Sequence, residues 1–300
     1  MKLRVTGLAL AGLLAISLAL PAFASTTNDL SSLEAPTSDI YLDGAPAETL
    51  EYRLYNGVNY ITVRSFVEAM QEQAMIEEWE GGVYVSAATV TQVVDVAGSD
   101  TQANVVEETL ILGAVKGAPY VIANSRYLYV ADGVMTLNGS VAAPIRVLAE
   151  VFNLDVGYDG ATGNVTLTSQ AGAGAYLTSG DQYYDSDVLY WLSRIIYAES
   201  GNQPMDGKIA VGNVVMNRVA SPLFPDTVYE VIFQRNQFTP AMTGSIHRTP
   251  NAASVEAAKM VLDGAVVLGD ALFFNVAGLN SYAAQTRPYV ATIGNHAFYA

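Results

Sequence analysis

Between Asp187 and Gly201 the apolar positions keep to one side of a helix. Val188, Leu192, Ile195 and Ile196 stand eleven, seven, four and three residues before Glu199. At 3.6 residues per turn these spacings bring all five side chains to one face. The pattern predicts a helix opening at Asp185-Ser186, both good N-cap residues, and closing at Ser200-Gly201 with Gly201 as C-cap. Glu199 therefore continues an apolar stripe in the last turn. Burial disfavours its charged form, and the negative end of the helix dipole disfavours it again. A carboxyl pushed up in this way suits a general acid working near neutral pH. The local pattern alone equally describes a partly exposed glutamate at a fraying helix end.

Further along, Pro204 stands just inside a second helix that runs to about Val219, and its apolar content and small Gly212 predict burial on most sides. Thr227 and Glu230 have capping-box spacing and open a third, short helix. Thr249-Pro250 opens a fourth, which closes at Asp263-Gly264. Residues 272–274 and 296–299 read as short strands.

Upstream the pattern repeats. Residues 56–68, beginning Asn56-Gly57, match residues 138–150, beginning Asn138-Gly139, at an offset of 82. Each copy predicts a turn, a short strand and a short helix carrying Arg and Glu at i and i+4 (Arg64/Glu68 and Arg146/Glu150), read as structural ion pairs. A hairpin follows each copy, 76–79 with 83–85 and 154–158 with 165–167. The expected fold class is α+β: a two-copy α+β repeat module over 38–169, a linker of small residues over 170–182, and a mainly helical domain with a small β element over 183–300.

The first residues read as a secretory signal: Lys2 and Arg4, an apolar run from Leu8 to Leu20 that is short for a membrane span, and Ala22-Phe23-Ala24 as the cleavage pattern. The expectation is a signal peptide over 1–24, a flexible polar leader over 25–37, a secreted or wall-associated product, and no membrane anchor after cleavage. The formal charge is −15, and loss of Lys2 and Arg4 makes it more negative, which argues against nucleic acid as a partner. With no cysteine and two histidines, His247 and His296, disulfides, thiol catalysis and a multi-histidine metal site drop out. No cofactor or metal is expected.

Two regions resemble known families. Residues 38–169 resemble the copper amine oxidase N-terminal-like module of secreted bacterial proteins, here without His or Cys to ligate copper. Residues 187–299 resemble the SleB/CwlJ cell wall hydrolases, which include spore cortex-lytic enzymes. The landmarks run in order: Tyr197-Ala198-Glu199; Gly207 with Ala210-Val211; Asn217-Arg218; the stretch from Phe224 to Ile232; Gln237-Phe238-Thr239-Pro240; Phe273-Phe274-Asn275; and Gly294-Asn295-His296 to Tyr299. The match is weakest over 241–248.

This second resemblance implies a lysozyme-like fold and cleavage of peptidoglycan glycan strands, with Glu199 catalytic. It also implies lytic transglycosylase chemistry from one carboxylate. Asp206, Asp226 and Glu230 stand close enough in sequence for one of them to hold a water for hydrolysis instead, although Asp226 and Glu230 also suit helix starts. Gln237, Phe238, Asn275, Tyr197, Asn295 and His296 are the expected substrate-binding residues, and Tyr282, Tyr289 and Tyr299 are candidate sugar platforms. A noncatalytic wall-binding protein is the reading from another class, and an accessory partner protein stays open.

Overall fold

The computed structural model describes residues 29–94 and 103–300. The signal segment and the first residues of the leader lie outside them. The rest of the leader is anchored: Leu30 is buried, its N–H donates to the Thr136 carbonyl at 2.8 Å, and Asp29 bridges Thr136.

The N-terminal module opens with β1 (Ile40–Leu42), β2 (Ala45–Pro46), β3 (Tyr52–Tyr55), β4 (Val58–Thr62) and α1 (Val63–Met70). A hairpin ribbon follows: β5 (Met75–Trp79), β6 (Gly82–Val94), β7 (Ala103–Val115), β8 (Tyr120–Ala123) and β9 (Arg126–Tyr129). The second copy is β10 (Met135–Leu137), β11 (Ser140–Pro144), α2 (Ile145–Val151), β12 (Leu154–Tyr158) and β13 (Val165–Ser169). Both Asn-Gly pairs take positive φ, 48° and 78° at Asn56-Gly57 and 53° and 88° at Asn138-Gly139, as a type I′ hairpin turn requires.

The two copies meet through their equivalent strands. β4 and β11 pair antiparallel with Ile61 opposite Ala143, its own counterpart at the 82-residue offset. The pairing is thus symmetric about that residue pair, and each copy completes the other's sheet, ordered β10-β11-β4-β3.

The ribbon forms a second sheet, ordered β5-β6-β7-β8-β9, with two different faces. Val83, Val85, Leu110, Leu112, Val121 and Leu128 point into the module core. The alternate residues Tyr120, Ile122, Tyr127 and Tyr129 join the core of the C-terminal domain. Period-two alternation puts these two sets on opposite faces, so β8 and β9 belong to both cores.

The linker is correspondingly anchored. Tyr176 and Leu177 are buried in the module core, and the Gly180 N–H donates to the Asn124 carbonyl at 2.8 Å. The short α3 (Gly180–Tyr183) follows directly.

The C-terminal domain contains α4 (Ser186–Ser200), α5 (Met205–Ala220), α6 (Val228–Phe233), α7 (Thr239–Thr243), a 3₁₀ turn (Ser245–His247) and α8 (Ala252–Leu262). It ends with β14 (Phe273–Val276), α9 (Tyr282–Thr286), β15 (Tyr289–Ile293) and β16 (His296–Tyr299), the strands ordered β14-β16-β15. The side chain of Asp185 caps α4 as expected, accepting from the Asp187 and Val188 N–H groups, and Thr227 caps α6.

Gly201 caps the C-terminus of α4 as expected, in the right-handed region at φ −55°. Two local expectations need correction. α8 starts at Ala252, where the side chain of Asn251 accepts from the Ser254 N–H; Thr249-Pro250 precedes it as extended chain. The pair Arg146/Glu150 does not form. Glu150 is taken by Arg126 at 2.9 Å, whereas Arg64 holds both Glu68 and Glu78.

Candidate active site

α4 lies against α5 and α8 with Leu192, Ile195 and Ile196 fully buried. Gly212 of α5 permits the approach: a Cβ there would stand 2.8 Å from Val261 Cγ2 and 3.1 Å from Ile196 Cδ1. The apolar stripe delivers Glu199 to the end of this packed helix, partly buried. Among the described residues no hydrogen-bond donor and no cation reaches its carboxylate. Burial therefore acts unopposed and raises its pKa above the ordinary glutamate value.

The two other raised glutamates differ. Burial raises both, but Glu150 has Arg126 beside it and Glu256 has Lys259. Of the three carboxylates near Glu199 in sequence, Asp226 is exposed and its side chain makes no hydrogen bond among the described residues, while the other two are hydrogen-bonded. Asp206 accepts from Tyr129 Oη at 3.0 Å, and Glu230 accepts from Thr227 Oγ1 at 2.9 Å at the start of α6.

Gln203 joins the end of α4 to the C-terminal sheet. Its Oε1 accepts the Asn295 N–H at 2.8 Å, and its carbonyl accepts from Lys208 Nζ, itself buried. Gly294 sits at this contact with φ +57°, and a Cβ there would stand 2.3 Å from Gln203 Oε1, which would have to shift. The β15–β16 turn, with an exposed Asn295, is thereby pinned four residues past Glu199.

His296 follows immediately. It is buried against Phe274 and Phe298, its Nδ1 lacks a partner, and burial pushes its pKa down. Phe238 reaches the same cluster through Phe274, with ring centroids 6.3 Å apart. It is only 2% exposed, so the structure gives its ring to the core and leaves it no face for a sugar. Gln237 beside it is exposed, and its side-chain amide makes no hydrogen bond among the described residues.

Asn275 pairs with Ala297 and His296 with Val276, so Asn275 and His296 point to opposite faces of the small sheet. Tyr197 is partly buried at the end of α4. Of the three tyrosine platforms, Tyr282 and Tyr289 are exposed and Tyr299 is buried.

Two features escaped the sequence reading. Arg218 is buried among Phe224, Phe238 and Phe273, with its Nε donating to the Leu272 carbonyl at 2.8 Å; burial lowers its pKa to about 10. Trp191 packs on Tyr190, Tyr229, Phe233 and His247, and exposed Tyr190 and Tyr229 flank it. It lies two turns before Glu199, about 12 Å along the helix. The aromatic spacing Tyr190-Trp191 with Tyr229 and Phe233 was the available signal, but only packing brings these rings together.

Residues 202–299 match the Cell Wall Hydrolase family. The C-terminal part of this chain is a cell wall hydrolase domain. The match begins three residues past Glu199. A spore cortex-lytic enzyme of Oceanobacillus iheyensis is 33% identical over 152 residues, covering 47% of this chain and 55% of that protein. One from Bacillus cereus is 36% identical over 116 residues, covering 38% and 45%. The chain thus spans about half the length of the curated relatives it matches. The solved catalytic domain of the germination-specific lytic transglycosylase SleB from Bacillus anthracis is 33% identical, with 41% of this chain covering all of that one at a TM-score of 0.37. Glu199, in the last turn of α4, immediately precedes the matched residues.

Proposed function

We propose that this chain is a secreted enzyme that cleaves the peptidoglycan glycan strand between N-acetylmuramic acid and N-acetylglucosamine, as a lytic transglycosylase with Glu199 as its one acid and base. The observation that carries the proposal is the state of Glu199: shielded, unpaired, with a raised pKa. Protonated Glu199 donates to the glycosidic oxygen as the bond to C1 breaks. Its carboxylate then takes the proton of the muramoyl C6 hydroxyl, whose oxygen bonds to C1. The product is a 1,6-anhydro sugar, no water is consumed, and Glu199 returns to its acid form.

Asp206 and Glu230 each accept a hydroxyl hydrogen bond, from Tyr129 and Thr227 respectively, which favours the one-carboxylate reading for those two over a two-carboxylate hydrolysis. The likeness to spore cortex-lytic enzymes supports the choice of polymer. Gln237, Asn295 and Tyr197 supply polar contacts, with Tyr282 and Tyr289 as exposed rings.

Mass spectrometry of soluble fragments released from peptidoglycan tests the reading, with Glu199→Gln alongside. Anhydromuramoyl ends that vanish in the variant are expected. Reducing ends, heavier by one water, would replace transglycosylation with hydrolysis at the same site. No fragments from either vegetative or cortex peptidoglycan would sink the enzymatic reading.

A further inference from the structure

The face of the ribbon sheet that meets the hydrolase domain is only half covered. At β9 it packs against α8 and at β8 against the C-terminal core; over Tyr84, Ile111 and Gly113 of β6 and β7 it is open. There it floors a cavity of about 1080 Å³, walled on the far side by the segment that leads into α3 and α4. That volume is at the top of the range of roughly 300–1,000 Å³ seen for small-molecule sites, so it has room for more than one sugar ring.

Three features define its chemistry. First, Trp79 is half exposed at its rim, and its ring lies over Gly82, its cross-strand partner: a Cβ on Gly82 would stand 2.0 Å from Cε2 and 2.2 Å from Cζ2. The indole therefore lies on bare backbone with its other side free. Second, no other atom lies within 4 Å of where a Gly113 Cβ would project, so the middle of the floor is an open trough. Third, the lining hydroxyls and amides of Tyr84, Ser125, Thr178, Ser179 and Gln182 make no side-chain hydrogen bond among the described residues. The one charged lining residue, Glu108, accepts the Ala175 N–H.

A half-exposed aromatic face, a lining with a single carboxylate that accepts a backbone N–H, and unspent hydroxyl and amide groups suit a neutral polyhydroxylated ligand better than an anionic one. We infer that this groove binds the N-acetylated glycan strand of peptidoglycan at a second site, away from the site of cleavage. The choice of polymer rests on the proposed function. The groove shares its wall with the chain entering α4, so one strand held here is presented to the domain that carries Glu199.

The test is equilibrium binding of the full chain carrying Glu199→Gln to insoluble peptidoglycan, with soluble N-acetylated glycan free of stem peptides as competitor. Adding Trp79→Ala is expected to weaken binding about fivefold or more. Trp79→Tyr should restore most of it, and Gly82→Val, which evicts the ring, should repeat the loss. Cleavage of short soluble glycans by Trp79→Ala in an otherwise wild-type chain should be unchanged. Unchanged binding in both Trp79→Ala and Gly82→Val would overturn the inference, as would competition by stem peptides and not by glycan. Trp79-dependent glycan binding in a protein that releases no fragments would leave this site standing while the proposed function fell.

Discussion

Arg126 of β9 and Asp263 at the end of α8 are 137 positions apart in the chain, yet Nε donates to Oδ1 at 2.6 Å. The Asp263 side chain is fully buried, and its other oxygen accepts the Tyr127 N–H at 3.2 Å and the Tyr184 hydroxyl. Arg126 also holds Glu150 of the second repeat and lies over the Tyr183 ring at 3.7 Å. One guanidinium thus ties the repeat module, the connecting segment and the hydrolase domain together. Removing one partner of a buried ion pair strands the other charge, at about 3–5 kcal/mol. Arg126→Met should lower stability by that order in denaturant melts. Adding Asp263→Asn should recover part of the loss, because the stranded charge is then gone.

Glu199→Gln should cut turnover by about two to four orders of magnitude, the usual worth of a positioned general acid. In the wild type, activity should fall on the alkaline side as Glu199 ionises, at a pH above the ordinary glutamate range. The linkage has a definite sign. A folded-state pKa above the unfolded value stabilises at low pH, and that stabilisation is lost as pH rises through the folded value. Glu199→Gln should therefore be more stable than wild type near neutral pH, by about 1 kcal/mol, with the advantage shrinking under acid. Thermal melts across pH would show it; a variant less stable at every pH would contradict the desolvated carboxylate.

Gly212→Ala would push a methyl group into Val261 and Ile196. Overpacking of this kind costs about 1–3 kcal/mol. Because Ile196 is three residues before Glu199, the displaced helix should also lower kcat more than it changes KM, which steady-state kinetics on soluble glycan would separate.

His296 is buried with its pKa pushed down from 6.5. Here the sign is opposite: the stabilisation is present above 6.5 and is lost as pH falls through the lowered value. Stability should drop on mild acidification, and His296→Phe should flatten that part of the stability–pH curve. An unchanged slope in the variant would assign the acid sensitivity to other groups.

Gln203→Ala should free the β15–β16 turn from α4 by removing the acceptor for Asn295 N–H. Amide exchange at Asn295 should quicken, while exchange in the core of α4 stays slow.

Much of this protein was legible in one dimension. The Asn-Gly turns, the strands and helices that follow them and the 82-residue repeat depend on local backbone preference and periodicity, which need no partner. The helix bearing Glu199 and its placement in the apolar stripe rest on the same grounds. What those signals lack is direction across the chain. The ribbon β6–β9 alternates apolar residues on both faces, which predicts burial without saying between what, and only packing shows that one face serves each core. Phe238 reads as a loop aromatic until Arg218 and Phe274 close around it. Glu150 has a partner at i−4, but Arg126 takes it through space because a buried guanidinium must find carboxylates wherever the fold brings them. Local sequence thus determined the elements and the place of Glu199 in its helix; the tertiary structure decided which side chains are spent on the core, which join the two cores, and which stay free for a ligand.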